Sequence, residues 1–314
     1  MRIVRSIAEA GYERNSVVTV GTFDGVHLAH AEIVREVLHR AKRCEGRSVV
    51  VTFNPHPKEV TGKKDSPPLL TTLEERVEIF EALGVDVLFV VNFTFAFSRL
   101  TSKQFYRQYL VEGTGLGEVV VGYDHMFGRD REAGIEELVR MGKEFDFSVF
   151  AVHPFTVDEE PVSSSLIRDA LREGNVERAR KFLGRPYRFS GKVIKGDGRG
   201  KSLGYATANL DTSSERKMLP RNGVYLVGTT RGTDQHFGMM NIGTRPTVKS
   251  NAGEIVEVHL FDFNEDIYGE LLAITLLKRL RDEQRFPSLE DLISQLHRDR
   301  ELSLRMVHEL AKQK

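Results

Sequence analysis

Between Gly196 and Asn209 the chain gathers flexible backbone, cationic side chains and oxygen donors in one short run. It reads Gly196-Asp-Gly198-Arg-Gly200-Lys201-Ser-Leu-Gly204-Tyr-Ala-Thr207-Ala-Asn209. Such residues suit a nucleoside triphosphate and its magnesium. Glycines let backbone N–H groups approach phosphates, Lys201 adds positive charge, and Thr207 and Asn209 are hard oxygen ligands of the kind octahedral Mg2+ accepts. In an extended segment their i, i+2 spacing puts both side chains on one face. The order is not that of a Walker A loop, which needs GxxxxGK, then Ser or Thr, then a helix. Alone, the run reads equally well as an unliganded Gly-rich surface hairpin.

A second cluster lies near the start of the chain. Gly21-Thr-Phe23-Asp24-Gly25-Val-His27-Leu-Ala29-His30 follows the apolar run Val17–Val20 and precedes Ile33, Val34, Val37, Leu38 and Ala41 at helical spacing. A strand, a glycine turn and a helix N-terminus make an anion site, because free N–H groups and the macrodipole point at whatever sits there. His27 and His30 are three apart, so on a first helical turn both reach one phosphate. Without its flanks, such a histidine pair is an ordinary surface or core feature. A third run, Val162-Ser163-Ser164-Ser165-Leu-Ile167-Arg168, sets hydroxyls at a helix start with an arginine one turn on. Its plainer reading is a serine N-cap beside a solvated arginine.

The elements that must position these residues divide near Gly184-Arg-Pro186. Before that point, apolar runs at 48–53, 85–92, 118–122 and 147–153 alternate with amphipathic helical stretches, which predicts a mostly parallel sheet with helices on both faces. Thr72-Leu-Glu-Glu75 has capping-box spacing and opens a helix carrying Val77, Phe80 and Leu83. Ligands of such folds collect at the carboxyl ends of strands, where the histidine turn falls. After Pro186, short β-type runs at 189–194, 223–228, 237–242, 255–263 and 271–276 predict a compact antiparallel barrel, closed by a helix from about Ser288. In the run around Glu257, alternation puts Glu257 and His259 on one face with Ile255 and Phe261.

A chain of 314 residues suits about two domains. Its 45 basic and 45 acidic residues balance, which removes the usual electrostatic case for nucleic-acid or membrane partners. Cys44 is the only cysteine, so no internal disulfide forms and a reducing cytoplasm is expected; its place on the first helix suggests packing. The N-terminus lacks a secretory apolar core, and no run is long enough to span a bilayer.

The motifs resemble those of the bifunctional riboflavin kinase/FAD synthetase family along nearly the whole chain. Gly196–Asn209 is similar to the flavokinase signature, a glycine-rich flap leading into Gly-Phe-Pro-Thr-Ala-Asn, with Tyr205 and Ala206 in the Phe and Pro positions. Gly21–His30 resembles the HxGH signature of nucleotidyltransferases in its prokaryotic FAD synthetase form, with Ala29 between the histidines. Thr52-Phe-Asn54-Pro-His56-Pro57, Val121-Gly122-Tyr-Asp124-His125-Met-Phe127-Gly128 and the 162–168 run resemble further elements of that synthetase. Gly238–Thr247, Val256–Phe263, Tyr268-Gly269 and Leu280–Phe286 resemble flavokinase strands and loops.

This resemblance implies an α/β, Rossmann-like nucleotidyltransferase domain over 1–185 and an antiparallel β-barrel flavokinase domain with a C-terminal helix over 186–314. It implies two ATP- and Mg2+-dependent transfers: riboflavin to FMN in the second domain, then FMN to FAD in the first. His27 and His30 act in the adenylyl step, which needs no protein nucleophile, and Glu257 is the general base of the kinase. ATP and its phosphates fall to Gly21, Phe23, Asp24, Gly25, Ser164, Ser165 and Arg168 in one site. In the other they fall to Gly196, Gly198, Gly200, Lys201 and Gly204. Flavin falls to Asn54, His56, Asp124, Phe127, Arg245 and Arg281, and the metal to Thr207 and Asn209. Two other outcomes are compatible with the motifs: one active module only, or a flavin-binding regulator without turnover. From the histidine motif alone, a cytidylyltransferase also fits.

Overall fold

Runs of β-branched residues build the first sheet. In the computed structural model, which describes residues 1–62, 66–123, 134–196, 204–212, 216–244 and 254–312, six strands precede residue 153. They are β1 (Arg2–Val4), β2 (Ser16–Val20), β3 (Ser48–Asn54), β4 (Val87–Asn92), β5 (Leu116–Gly122) and β6 (Ser148–Val152). They pair in the order β1-β4-β3-β2-β5-β6, every pair parallel. A two-stranded antiparallel ribbon, β7 (Thr156–Val157) and β8 (Glu160–Pro161), follows them. Val18, Val49, Val51, Val119 and Val121 pack into one core layer, while Val17, Val50 and Val120 pack on the opposite side. Burial on both faces is why these strands read as continuous apolar runs rather than alternating ones.

The strand order reverses beside β2, with β3 and β4 on one side and β5 and β6 on the other. The carboxyl ends of β2 and β5 therefore flank a topological switch point, the position where open α/β sheets bind ligands. The helix Leu28–Arg43 leaves β2 at that end and buries Ala31, Val34, Val37 and Ala41. The helix Leu73–Leu83 carries the expected capping box, Thr72 with Glu75, and stops at Gly84, whose φ of 86° suits a left-handed cap. At the amino ends of the central strands sits Arg47, whose buried guanidinium donates to Ser16 Oγ and to the carbonyls of Ala10 and Thr114. Cys44 lies just past its helix as the C-cap and is exposed, not packed as expected. The edge strand β1, only three residues long, has too little pattern to be foreseen.

The chain divides into two compact units, Met1–Ser164 and Ser165–Lys314. In the second, β9 (Arg188–Ile194), β10 (Ala208–Asp211), β11 (Gly223–Arg231), β12 (Asp234–Thr244), β13 (Glu254–Leu260) and β14 (Leu271–Arg281) close a barrel in the order β10-β13-β12-β11-β14-β9. All neighbours are antiparallel. Val256, Val258, Leu260, Met240 and Ile242 are buried as its filling. On the outer face, Leu226, Met239, Phe261 and Tyr205 form a cluster with Leu296, Met306 and Val307 of the helix Leu289–Lys312. Strand β14 runs beyond its apolar stretch, because β11 keeps pairing with Lys278, Arg279 and Arg281. Among the described residues, no helix is long and apolar enough to cross a membrane.

Candidate functional site

The turn after β2 is held in a conformation few residues adopt unaided. Phe23, Gly25 and Val26 have φ of 48°, 90° and 36°. Positive φ is unfavourable for a bulky or β-branched side chain, so surrounding contacts must impose it. Asp24, 4 % exposed, supplies the main one: its Oδ1 accepts from the backbone N–H of Leu70 at 2.8 Å and of Thr71 at 3.0 Å. The Thr71 hydroxyl in turn accepts from Gly25 N–H at 2.8 Å, and Ser164 Oγ donates to the Asp24 carbonyl at 2.8 Å. Arg76, buried beneath the turn, donates to the Thr22 carbonyl at 2.9 Å and to Thr52 Oγ1 at 2.8 Å. Burial pushes the Arg76 pKa down and Asp24 opposes that shift. Gly21 continues the sheet by donating to the Val51 carbonyl, and a Cβ there would stand 3.1 Å from the Phe23 ring.

This scaffold brings the two histidines together. His27 is the N-cap of the Leu28–Arg43 helix, and its Nδ1 accepts from His30 N–H at 3.3 Å. The two rings stack with centroids 3.6 Å apart, and the Phe23 ring meets His30 edge-on at 5.1 Å. Two imidazoles thus stand together over a helix N-terminus at the switch point, where free N–H groups and the macrodipole favour an anion. Asn54 and His56 stand at the carboxyl end of the neighbouring β3, joined by the cis Asn54–Pro55 bond, and His56 caps the one-turn helix Pro57–Val60. Ser164 opens the helix Ser164–Arg172, but its hydroxyl serves the Asp24 carbonyl instead of the helix end. Ser165 and the buried Arg168 follow on that helix. Asp124 and Phe127 lie outside the described residues.

In the second unit, strand register assembles the site. Glu257 of β13 is paired with Asn209 of β10 on one side and Asn241 of β12 on the other. Paired residues of antiparallel strands share a face, so an amide, a carboxylate and an amide form one row across three strands. The row lies on the outer face, since Val256 and Val258 are buried while Ile255, Glu257 and His259 are half-buried. Thr207 directly precedes β10, so its hydroxyl and the Asn209 amide oxygen stand two residues apart beside a carboxylate. That donor set fits Mg2+, whose ligands are hard oxygens. Gly196 is essential to the packing here: a Cβ would fall 2.0 Å from Asn209 Nδ2. Gly243 likewise admits the Glu283 carboxylate, whose Oε1 would stand 2.3 Å from a Cβ there.

Gly204 is exposed with φ of 79°, which favours glycine. Arg281 pairs with the C-terminal helix: its Nε and Nη2 lie 2.9 and 2.8 Å from Asp299, which is 3 % exposed. Gly198, Gly200, Lys201 and Arg245 lie outside the described residues. Local pattern assigned no role to Arg76, Asn241 or Glu283. Arg76 sits in an amphipathic helix among other charges, and Asn241 gains its place only through register.

Comparison with known proteins finds a separate match for each half of the chain. A family model described as FAD synthetase matches residues 9–166, and one described as riboflavin kinase matches residues 183–307. The bifunctional riboflavin kinase/FMN adenylyltransferase of Bacillus subtilis is 35% identical over 305 residues, covering 96% of this chain and 95% of its own. The Escherichia coli K12 protein of the same name is 34% identical over 315 residues, covering 99% of each chain. A crystal structure named as a macrolide-efflux protein from Streptococcus pneumoniae matches with a TM-score of 0.87 at 33% identity, covering 96% of this chain and 97% of its own. Full-length similarity to named enzymes, with both family models matched on one chain, leaves one assignment: the chain belongs to the bifunctional riboflavin kinase/FMN adenylyltransferase family.

Proposed function

We propose that the protein phosphorylates riboflavin to FMN and adenylylates FMN to FAD, using ATP and Mg2+ for both transfers. The observation that supports this reading most is that one chain holds two differently built clusters of side chains. One is a stacked histidine pair on a helix N-terminus; the other is a carboxylate flanked by amides across three barrel strands. The functional domains are 1–185 and 186–314. The two family models, ending at 166 and starting at 183, support that division, although the compact units part earlier, at Ser164. The cysteine content and the balanced charge support work in the cytoplasm on small molecules.

In the kinase unit, Glu257 accepts the proton of the ribityl 5′-hydroxyl as it attacks the γ-phosphorus of ATP. Asn209 and Asn241, its register partners, keep the surroundings of the carboxylate polar. Thr207 and Asn209 would hold Mg2+, which would neutralise charge on the phosphates. The 196–204 glycine run, Lys201 included, covers the triphosphate, and Arg245 and Arg281 serve the flavin. In the adenylyl unit, the FMN phosphate attacks the α-phosphorus and pyrophosphate leaves. His27, His30, Ser164, Ser165 and Arg168 offset charge on the triphosphate, the turn at Gly21–Gly25 receives it, and Asn54, His56, Asp124 and Phe127 contact the flavin. Catalysis in both units rests on positioning and electrostatic stabilisation.

The test is a time course with riboflavin, ATP and Mg2+, its flavins resolved by chromatography, then repeated from FMN. FMN followed by FAD is expected. FMN alone would confine the activity to the barrel, FAD only from supplied FMN would confine it to the first unit, and bound but unchanged flavin would make the protein a regulator.

A further inference from the structure

The residues just before Thr207 are tied down from two directions. Tyr205 is 6 % exposed, and its hydroxyl lies 3.0 Å from Nδ1 of His297 on the C-terminal helix. The next residue, Ala206, accepts a 2.8 Å hydrogen bond on its carbonyl from Nδ1–H of His259 in β13. The rings close the arrangement: Tyr205 meets His259 edge-on at 5.0 Å and His297 at 5.6 Å. His259 is two residues from Glu257 on the same strand face, and Asn209 pairs with Glu257. The chain thus enters its Thr207–Asn209 segment between a helix anchor and a strand anchor. Neither residue 205 nor residue 206 has a backbone that is fixed covalently, as a proline would fix it.

We infer that Tyr205 and His297, through the hydrogen bond between barrel and C-terminal helix, are positioning residues that set the Thr207 and Asn209 oxygens for the magnesium–ATP complex. This rests on the kinase reading above. Neither side chain touches the reacting atoms. Their contribution is to hold one conformation of a segment that otherwise samples several, so their loss weakens Mg–ATP binding more than it slows the bound complex. A partly buried hydrogen bond of this kind is worth about a fivefold change in an equilibrium constant. The same bond fastens the helix: Tyr205 and Phe261 of the barrel share their cluster with Leu296, one residue before His297.

The experiment measures FMN formation from riboflavin in the full chain, varying Mg–ATP, with FAD formation from supplied FMN as the internal control. Amide hydrogen exchange over residues 205–209 in the metal-free protein, expected to quicken when the bond is lost, is the readout independent of turnover. Tyr205→Phe, which deletes one oxygen, is expected to raise the KM for Mg–ATP about fivefold, leave kcat within about twofold and leave FAD formation unchanged. His297→Leu, at an exposed helix position, is expected to do the same, and the double variant to be no worse than either single one. His297→Gln, which keeps a hydrogen-bonding group within reach, is expected to recover most of the affinity. An unchanged KM in Tyr205→Phe, or strictly additive effects in the double variant, overturns the inference while the kinase reading stands. A wild-type protein that makes no FMN overturns both. Should Tyr205→Phe not fold, His297→Leu with its Gln rescue decides the matter alone.

Discussion

The two sites are made from different materials. Around the histidine turn, the chain is bent into left-handed conformations at Phe23, Gly25 and Val26, and a buried aspartate holds it there through backbone N–H groups from 46 and 47 positions away. Around Glu257, the backbone is regular strand and the site arises because register sets Asn209, Glu257 and Asn241 side by side. The first arrangement is a conformation that must be enforced; the second is an alignment that follows once the barrel closes. Damage to the first should therefore travel through local backbone stability. Damage to the second should stay with individual side chains.

The comparison breaks most sharply at its two centres. Glu257→Gln keeps the shape and the row but removes the base, so FMN formation should fall by about 10²- to 10⁴-fold while adenylylation of supplied FMN continues. Near-normal FMN synthesis by that variant would strip Glu257 of its role. His30→Ala should lower FAD formation by about 10²-fold, the cost of one well-aimed donor, with FMN formation nearly intact. A folded His30→Ala protein that lost both activities equally would show that the sites are not separate.

Chemistry was more legible in the sequence than geometry. The Val-rich runs, the Thr72–Glu75 capping box and the barrel strands could be read because local pattern and tertiary role agree there. The histidine turn and the Thr207/Asn209 spacing announced their chemistry by residue type. What stayed hidden was long-range. Nothing local tells that Asp24 would spend its carboxylate on Leu70 and Thr71, or that Ser164 would serve the Asp24 carbonyl. Nor does anything local tell that Arg281, read as serving the flavin, pairs with Asp299, 18 positions on in the C-terminal helix. Register between strands is equally invisible, so Asn241 could be quoted in a motif without any role being assigned to it.

Two glycines sharpen the contrast at smaller amplitude. Gly196 owes its identity to space: an added Cβ would lie 2.0 Å from Asn209 Nδ2, whereas nothing in its own φ demands glycine. Gly196→Ala should therefore turn the Asn209 amide away and lower FMN formation about tenfold, the usual scale for displacing support next to a metal ligand, with little change in thermal stability. Gly25 owes its identity to conformation, with φ of 90°. Gly25→Ala should cost about 1–2 kcal/mol through backbone strain, lowering the melting temperature of the first unit by roughly 2–8 °C and leaving the kinase untouched. Calorimetry on both variants, read beside the two activities, separates the cases. If Gly196→Ala melts early with normal kinase activity per folded molecule, or Gly25→Ala melts like the parent, then an enforced turn and a register-built row are not distinct ways of making these sites. The opposite result would mean that the turn's strain is held by Asp24 and its partners, and that the barrel tolerates any change sparing the side chains of its row.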